Sequence, residues 1–196
     1  MQQRSFDNLV ILRISAASPA QFVKFWSDRY NDQKYDENVY LQLIQNPPTP
    51  ELVRALFKWK NGTPLSAKKR ISVETNYVSR LDEILRLPET TSADDFLRIF
   101  TGGGAVWRIF WLHCWKPDRF PIYDQHVHRA MTYILTGRAE EPPLTDKRKI
   151  RVYIEQYFPF TSHFSDLPAR QVDRALWTFG KYIKERKPAC VEPLSD

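Results

Sequence analysis

Three consecutive glycines are the first residues of this sequence whose type and spacing could support chemistry. Gly102, Gly103 and Gly104 are half of the six glycines in the chain, and they lie between two segments with helical patterning. Glycine adopts positive φ angles at little cost, and the unpaired N–H groups that begin the following helix attract anions. The pattern therefore predicts a phosphate-binding turn. The competing interpretation is a plain corner between two helices.

Asp124 follows Val106, in the first turn of the helix after the glycines, by 18 positions. That length accommodates a helix leading outward, a turn around Pro117 and Pro121, and a return to the same end of the helix. Taken alone, an aspartate at a predicted helix start is best explained as an N-cap worth ~1 kcal/mol. The spacing, however, favours a shared site for Asp124 and the glycine turn.

The runs Phe100–Val106 and Tyr123–Val127 resemble the core of the helix-hairpin-helix DNA glycosylases, the HhH-GPD superfamily. Gly102 and Gly104 match the two glycines of that family's hairpin, and Asp124 matches its catalytic aspartate. The close match covers about 30 residues. It implies an all-α, two-lobed fold with a cleft between the lobes, and DNA, double-stranded and carrying a modified base, as the partner.

The chain departs from the family pattern at several positions. Thr101 replaces the hairpin proline, and Gly103 replaces the apolar residue between the two glycines. Val106 stands where bifunctional members carry a lysine nucleophile, so the resemblance implies a monofunctional enzyme that uses water. The cysteine cluster of the iron–sulfur members is missing, and the segment Leu56–Gly62 differs from the family's glutamine-containing segment.

Breaking an N-glycosidic bond builds positive charge on the sugar, which an ionised aspartate can stabilise while it orients or deprotonates water. The resemblance implies this catalytic role for Asp124, on a base rotated out of the duplex. We expect an abasic site as the product, in DNA repair or in bacterial defence against phage DNA with hypermodified bases. Two other interpretations stay open: a non-catalytic helix-hairpin-helix DNA-binding module in which Asp124 is only a cap, and a helical protein-interaction domain.

Other residues are candidates for contacts within the same framework. The predicted DNA contacts, besides the glycines, are His126, Lys68, Lys69, Arg70, Trp59 and Asn61. The predicted walls of a base pocket are Val106, Trp26, Tyr30 and Tyr123. Solvated surfaces and core packing are the alternatives for these two groups. A metal site is not expected, because the side chains of Asp124, His126 and His128 diverge at the start of a helix, and no cofactor is expected.

The composition is that of a basic globular protein. The 196 residues include 29 Lys and Arg against 23 Asp and Glu, a net charge of +6, and 42% of them are hydrophobic. Such a basic globular chain has a polyanion as its default partner, although the charge can also serve solubility. Two cysteines, no signal peptide and no membrane-spanning stretch predict a reduced, cytoplasmic protein without membrane contact. We expect a monomer.

Start and stop signals predict helices along most of the chain. Good N-caps precede several apolar patterns, and one long helix is predicted from Ser66 towards Pro88. Further helices are predicted from about Ala105 to Trp115 and from Asp124 to Gly137. The last two are predicted at 146–157 and 168–187, and only 9–14 is strand-like. Following the family's division, one lobe is expected at 20–118 and the other at 1–19 plus 119–196.

Overall fold

The computed structural model describes residues 18–30 and 36–185 of the chain. In chain order its α-helices are α1 (Pro19–Ser27), α2 (Glu37–Gln45), α3 (Pro50–Asn61), α4 (Ala67–Asn76), α5 (Leu81–Leu85), α6 (Ala93–Ile99), α7 (Ala105–Trp115), α8 (Gln125–Thr136), α9 (Asp146–Val152), α10 (Phe158–Thr161) and α11 (Ala169–Glu185). The described residues contain no strand, so the predicted all-α class is confirmed for them. The predicted strand at 9–14 lies outside the described residues.

The chain divides into two compact units. The first, named here the hairpin unit, comprises Asn31–Tyr123 and Pro143–Thr161. The second, named the Asp124 unit, comprises Met1–Tyr30, Asp124–Pro142 and Ser162–Asp196. The glycine turn belongs to the first unit and Asp124 to the second.

Aromatic rings around α7 form the core of the hairpin unit. Phe57 of α3 stacks on Tyr77 with ring centroids 4.3 Å apart, and it meets Phe110 of α7 edge to face at 5.3 Å. Trp111, on the same helix, is fully buried and lies 5.5 Å from the ring of Tyr77. Burial of a large aromatic side chain contributes about 1.5–3 kcal/mol. This cluster therefore fixes α7, the helix that follows the glycines, within its unit.

The Asp124 unit is built around α11, which packs against both α1 and α8. Phe179 of α11 lies between Phe22 and Trp26 of α1, at centroid distances of 5.2 and 5.1 Å. Where α11 packs against α8, the two helices come close at Gly180: an added Cβ there would lie only 1.9 Å from the carbonyl oxygen of His126. A side chain of any size at position 180 would push α11 away from the beginning of α8.

Local hydrogen bonds explain most helix boundaries, as the sequence predicts. Ser18 and Gln21 form a reciprocal capping box at the start of α1, which provides acceptors for two backbone N–H groups that would otherwise be unpaired. Gly62 and Gly137 end α3 and α8 with φ of 69° and 72°, the left-handed conformation that glycine adopts without strain. The predicted helix at Ala105–Trp115 is confirmed.

Two predicted helices differ from those observed. The long helix predicted from Ser66 towards Pro88 breaks at Tyr77, whose backbone leaves the helical region (φ −128°, ψ −55°). It continues as a 3-10 turn and the short helix α5. Packing of the Tyr77 ring against Phe57 outweighs local helix propensity there. The helix predicted to end at Tyr157 continues to Thr161 through a π-helical stretch at Tyr153–Tyr157.

Candidate functional site

The glycine turn joins α6 to α7 and forms a helical hairpin. Gly103 has a φ of 79°, a left-handed conformation that costs other residues about 1–2 kcal/mol. A Cβ at Gly103 would also lie 2.3 Å from the hydroxyl oxygen of Tyr77, and one at Gly102 would lie 2.0 Å from Oδ1 of Asn76. The hydroxyl of Tyr77 donates to the carbonyl oxygen of Gly102 at 3.3 Å. Both conformation and space therefore require glycine at position 103.

The N-terminus of α7 receives no hydrogen bond from a capping side chain, because its N-cap is Gly104. In contrast, Ser, Thr or Asp side chains cap α1, α2, α3, α4, α6, α8 and α9. Gly103 and Gly104 are exposed. The amides that begin α7 are thus not covered by a capping side chain, and this arrangement suits a phosphate oxygen.

The side chain of Arg108 links α7 to the end of α6 by hydrogen bonds. Its Nε donates to the carbonyl oxygen of Phe100 at 2.8 Å, and a terminal nitrogen donates to that of Leu97. These carbonyls lie at the end of α6, where the helix leaves such groups unsatisfied. Burial lowers the pKa of Arg108 below its ordinary value, with opposing contributions from Tyr77 and Asp146. Sequence reasoning missed this residue because helical spacing alone marked it as an ordinary position.

Asp124 is the N-cap of α8. Its Oδ1 accepts hydrogen bonds from the backbone N–H groups of His126 at 2.8 Å and Val127 at 3.2 Å. The side chain is half-buried. Two donors on one oxygen fix the plane of the carboxylate, so Asp124 is held in a defined orientation at the start of the helix. The predicted N-cap position is confirmed, whereas the catalytic role stays a prediction.

His126 is held beside Asp124 by a buried arginine. Nη1 of Arg129 lies 3.4 Å from Nδ1 of His126, and Nη2 donates to Oε1 of Gln125 at 3.2 Å. Arg129 also binds Glu141 through two hydrogen bonds of 2.8 and 2.7 Å. Because arginine only donates, Nδ1 of His126 is an acceptor, and the imidazole carries its proton on Nε2. The Arg129 hydrogen bond lowers the pKa of Glu141.

An aromatic and basic cluster lies on the same unit. The ring of Trp177 meets His126 at 5.1 Å and Tyr30 at 5.5 Å, both edge to face. The guanidinium groups of Arg170 and Arg174 lie 5.5 and 5.1 Å from the centre of the Tyr30 ring. Tyr30, a predicted pocket wall, is therefore connected through Trp177 to the residue two positions after Asp124. Trp177 could not be identified from the sequence, because a single tryptophan on a long amphipathic helix indicates only a core position.

The other predicted pocket residues occupy different surroundings. Trp26 is 5% exposed and packs against Phe179 and Tyr182 in the core of the Asp124 unit. Tyr123 is fully buried in the hairpin unit. Val106 is half-buried in the first turn of α7 and has no amine. Core packing accounts for Trp26 and Tyr123, and a role in a base pocket stays a prediction for all three predicted residues.

Except for His126, the predicted DNA-contact residues outside the glycine turn lie in the hairpin unit. Trp59 is half-buried between the rings of Tyr40 and Phe110, at centroid distances of 5.4 and 6.1 Å. This packing favours a core role over insertion into a duplex. Nζ of Lys69 donates to Oδ1 of Asn61 at 2.6 Å and lies 5.9 Å from the ring centre of Trp107.

The structure thus brings part of the basic segment Lys68–Arg70 to the helix that follows the glycines. Lys68, Lys69 and Arg70 are all exposed at the start of α4. Arg70 donates to the carbonyl oxygen of Leu65 at 3.0 Å, so part of its hydrogen-bonding capacity serves the local turn. Lys69, through Trp107, is the member of this segment that contacts α7.

Across residues 18–30 and 36–185, no group of three or more His, Cys, Asp or Glu side chains is arranged to hold a metal ion. Within the same residues, no helix has the length and apolar character needed to cross a membrane. Cys114 is buried as a free thiol, and burial raises its pKa, which disfavours the nucleophilic thiolate.

Comparisons with known proteins do not extend these observations. No protein-family model, no curated protein and no solved structure matches this chain significantly. The likeness to the helix-hairpin-helix glycosylases therefore rests on the residues of the hairpin and of the Asp124 segment alone.

Proposed function

We propose that this protein is a monofunctional DNA glycosylase. It hydrolyses the N-glycosidic bond of a damaged or modified base that has been flipped out of DNA, and it leaves an abasic site. The observation that carries the proposal is the sequence of elements from the uncapped glycine hairpin through α7 to Asp124, whose carboxylate is fixed at the start of the next helix.

Asp124 is proposed as the catalytic residue. Departure of the base leaves positive charge on the deoxyribose, and a nearby carboxylate stabilises that charge. The same carboxylate orients a water molecule for attack and accepts its proton. The two backbone hydrogen bonds to Oδ1 keep the group oriented before substrate arrives, which reduces the reorganisation needed during the reaction.

The hairpin is proposed to hold the DNA backbone. The amides at the start of α7 lack a capping side chain, and exposed Gly103 and Gly104 permit close approach of a phosphate. Val106, in the first turn of the same helix, offers no amine for a Schiff base. Strand cleavage is therefore expected only after the abasic product is treated with alkali or heat.

A second candidate is a non-catalytic helix-hairpin-helix DNA-binding module. One specific observation favours it: Oδ1 of Asp124 already serves two backbone N–H groups, so capping alone accounts for the residue. The two candidates agree on DNA binding and differ on whether a base is released.

The deciding experiment incubates the protein with a panel of duplexes, each carrying one oxidised, alkylated, deaminated or hypermodified base, and identifies released bases by mass spectrometry. The wild type is expected to release at least one base, and Asp124→Asn is expected to bind the same DNA without releasing it. Asp36→Asn is the matched control, because Asp36 caps α2 through a similar bond to the N–H of Asn38 at 3.1 Å; it should release the base normally.

The outcomes separate the candidates. Binding of DNA by the wild type with no base released from any duplex would favour the non-catalytic module. Full activity of Asp124→Asn would exclude the proposed catalytic residue. Release of a host-type damaged base indicates repair, whereas release restricted to hypermodified bases indicates defence against phage DNA. Absence of salt-sensitive DNA binding would exclude both candidates and favour a protein-interaction domain.

A further inference from the structure

A shallow groove with a basic lining lies beside the hairpin, entirely within the hairpin unit. It has a volume of about 290 Å³ and is formed by side chains from α6, α7 and α9. The lining residues are Asp94, Leu97, Arg98, Arg108, Lys147 and Ile150. Three of these are cations and one is an acid, so the groove carries an excess of positive charge.

The single acid does not neutralise the groove. Asp94 forms a salt bridge with Arg98, its neighbour one turn along α6. Arg108 and Lys147 form no salt bridge with a carboxylate in the part of the chain that the structure describes. Two cationic side chains, one from α7 and one from α9, therefore remain available to an anion in the groove.

Arg108 is held ready for such an anion. Its bonds to the carbonyl oxygens of Phe100 and Leu97 fix the guanidinium in place, and it is half-buried. Those two acceptors are neutral, so they orient the guanidinium without cancelling its charge. The carboxylate of Asp146 opposes the lowering of the Arg108 pKa by burial, without forming a salt bridge with the guanidinium. A fixed, partly desolvated guanidinium without a salt bridge binds phosphate oxygens with little loss of side-chain entropy.

The groove is close to the glycine turn along the chain. The backbone N–H of Arg108 donates to the carbonyl oxygen of Gly104 at 3.0 Å, so these two residues lie about one helical turn apart, ~6 Å along the helix axis. Consecutive phosphates of one DNA strand advance ~3.4 Å along the duplex axis. A strand with one phosphate at the turn thus presents a phosphate one or two nucleotides away to the groove.

We propose that the groove formed by Arg98, Arg108 and Lys147 binds a second backbone phosphate of the DNA strand held by the hairpin. The proposal rests on the proposed function, since it names a further part of the same DNA-binding surface. The ligand is a phosphodiester, and free inorganic phosphate is the other source of the same chemistry.

Lys147→Gln tests the groove without disturbing the fold, because Lys147 is exposed and forms no salt bridge with a described carboxylate. Affinity for a fluorescent duplex is measured over a range of salt concentrations. Loss of one phosphate contact should reduce the slope of log K against log[salt] by about one. Arg151→Gln is the matched control: it removes one charge from the same helix, at a side chain paired with Glu155 at 2.8 Å and outside the groove.

The expected result is a reduced slope for Lys147→Gln and an unchanged slope for Arg151→Gln. Equal slopes for the two variants would contradict phosphate binding by the groove. The proposed function would stand in that case, because the wild type would still bind DNA. Failure of the wild type to bind DNA would contradict both the phosphate-binding groove and the proposed function. Binding of inorganic phosphate to the wild type and to Lys147→Gln is also measured, with chloride at equal ionic strength as the reference. If Lys147→Gln weakens binding of inorganic phosphate but not of DNA, the groove takes a free anion and the proposal is wrong.

Arg108→Lys provides a second, independent variant. It keeps the charge but loses the planar, forked geometry that matches phosphate. We expect weaker DNA binding at all salt concentrations with the slope nearly unchanged. Because Arg108 also caps α6, thermal unfolding of the variant is measured alongside. Wild-type affinity in a folded Arg108→Lys protein would count against the groove.

Discussion

Nη1 of Arg129 lies 3.4 Å from Nδ1 of His126, and this contact favours one tautomer of the neutral imidazole beside Asp124. Arginine has no acceptor atom, so Nδ1 must be unprotonated and the neutral ring carries its proton on Nε2. Arg129 itself is 3% exposed and is anchored by Glu141. A buried cation thus orients a histidine two residues from the proposed catalytic carboxylate, so Arg129 is a positioning residue in the proposed enzyme.

Arg129→Gln is expected to release His126 from this tautomer. In ¹⁵N–¹H correlation spectra of the wild-type imidazole, Nδ1 should be the unprotonated nitrogen, and the variant should show a mixture of both tautomers. Loss of the buried network should also lower the free energy of unfolding by about 1–3 kcal/mol. Arg151→Gln, which removes a surface pair with Glu155, should cost well under 1 kcal/mol. A protonated Nδ1 in the wild type would contradict this assignment.

Gly103→Ala is expected to destabilise the protein more than Gly137→Ala. Both glycines have left-handed backbones, with φ of 79° and 72°, so both variants lose about 1–2 kcal/mol from backbone strain. Only the Cβ at position 103 meets another residue, the hydroxyl of Tyr77 at 2.3 Å, whereas position 137 has nothing within 4 Å. Chemical denaturation measures the difference. Tyr77→Phe alone also loses the hydrogen bond to Gly102, so its own cost is measured separately. Gly103→Ala should cost less in the Tyr77→Phe background than in the wild type, and an equal cost would show that the contact with the hydroxyl is not the cause.

The capping and proposed catalytic roles of Asp124 can be separated by stability. Asparagine caps a helix about as well as aspartate, so Asp124→Asn should keep the wild-type free energy of unfolding to within ~0.5 kcal/mol. Asp124→Ala removes the acceptor for His126 and Val127 and should cost about 1 kcal/mol. Both variants should fail to release a base. If Asp124→Asn releases a base and only the destabilised Asp124→Ala does not, the residue acts only as a cap.

Protein stability is expected to fall as the pH drops below about 6.5, in part through His128. Burial lowers the pKa of His128 below the ordinary 6.5, opposed by Glu140 and Glu141 and reinforced by the charge of Arg129. As pH falls through 6.5 the unfolded chain binds a proton that the folded chain does not. Stability is therefore lost at up to ~1.4 kcal/mol per pH unit until the lowered folded pKa is reached.

His128→Gln provides the comparison for this pH dependence. Urea denaturation between pH 7.5 and 5 should give a shallower loss of stability for the variant than for the wild type, because glutamine does not titrate. The pairing of Glu141 with Arg129 acts in a different window. Its pKa is lowered from 4.5, so that contribution is present above 4.5 and declines only below it. Parallel curves for wild type and His128→Gln would contradict the role of His128.

The helix boundaries around the candidate site could be predicted because they depend on hydrogen bonds within a few residues. Asp124 caps α8 by bonding to groups two and three positions ahead, and Gly137 ends it with its own backbone. The glycine run at 102–104 likewise marks a turn that no other residue type would occupy as readily. The break at Tyr77 could not be predicted this way, because it depends on contacts with Phe57 and Gly102, which are distant in the sequence.

For the described residues, the sequence by itself determined the all-helical class, a glycine turn before α7 and an aspartate at the start of α8. Each of these is a local property of caps and φ angles. Only the tertiary structure decided which side chains surround them. Arg108 closes the hairpin, Arg129 fixes His126, and Trp26 packs in a core. These roles depend on burial and on long-range contacts, which the same residue types meet or miss according to how the helices pack.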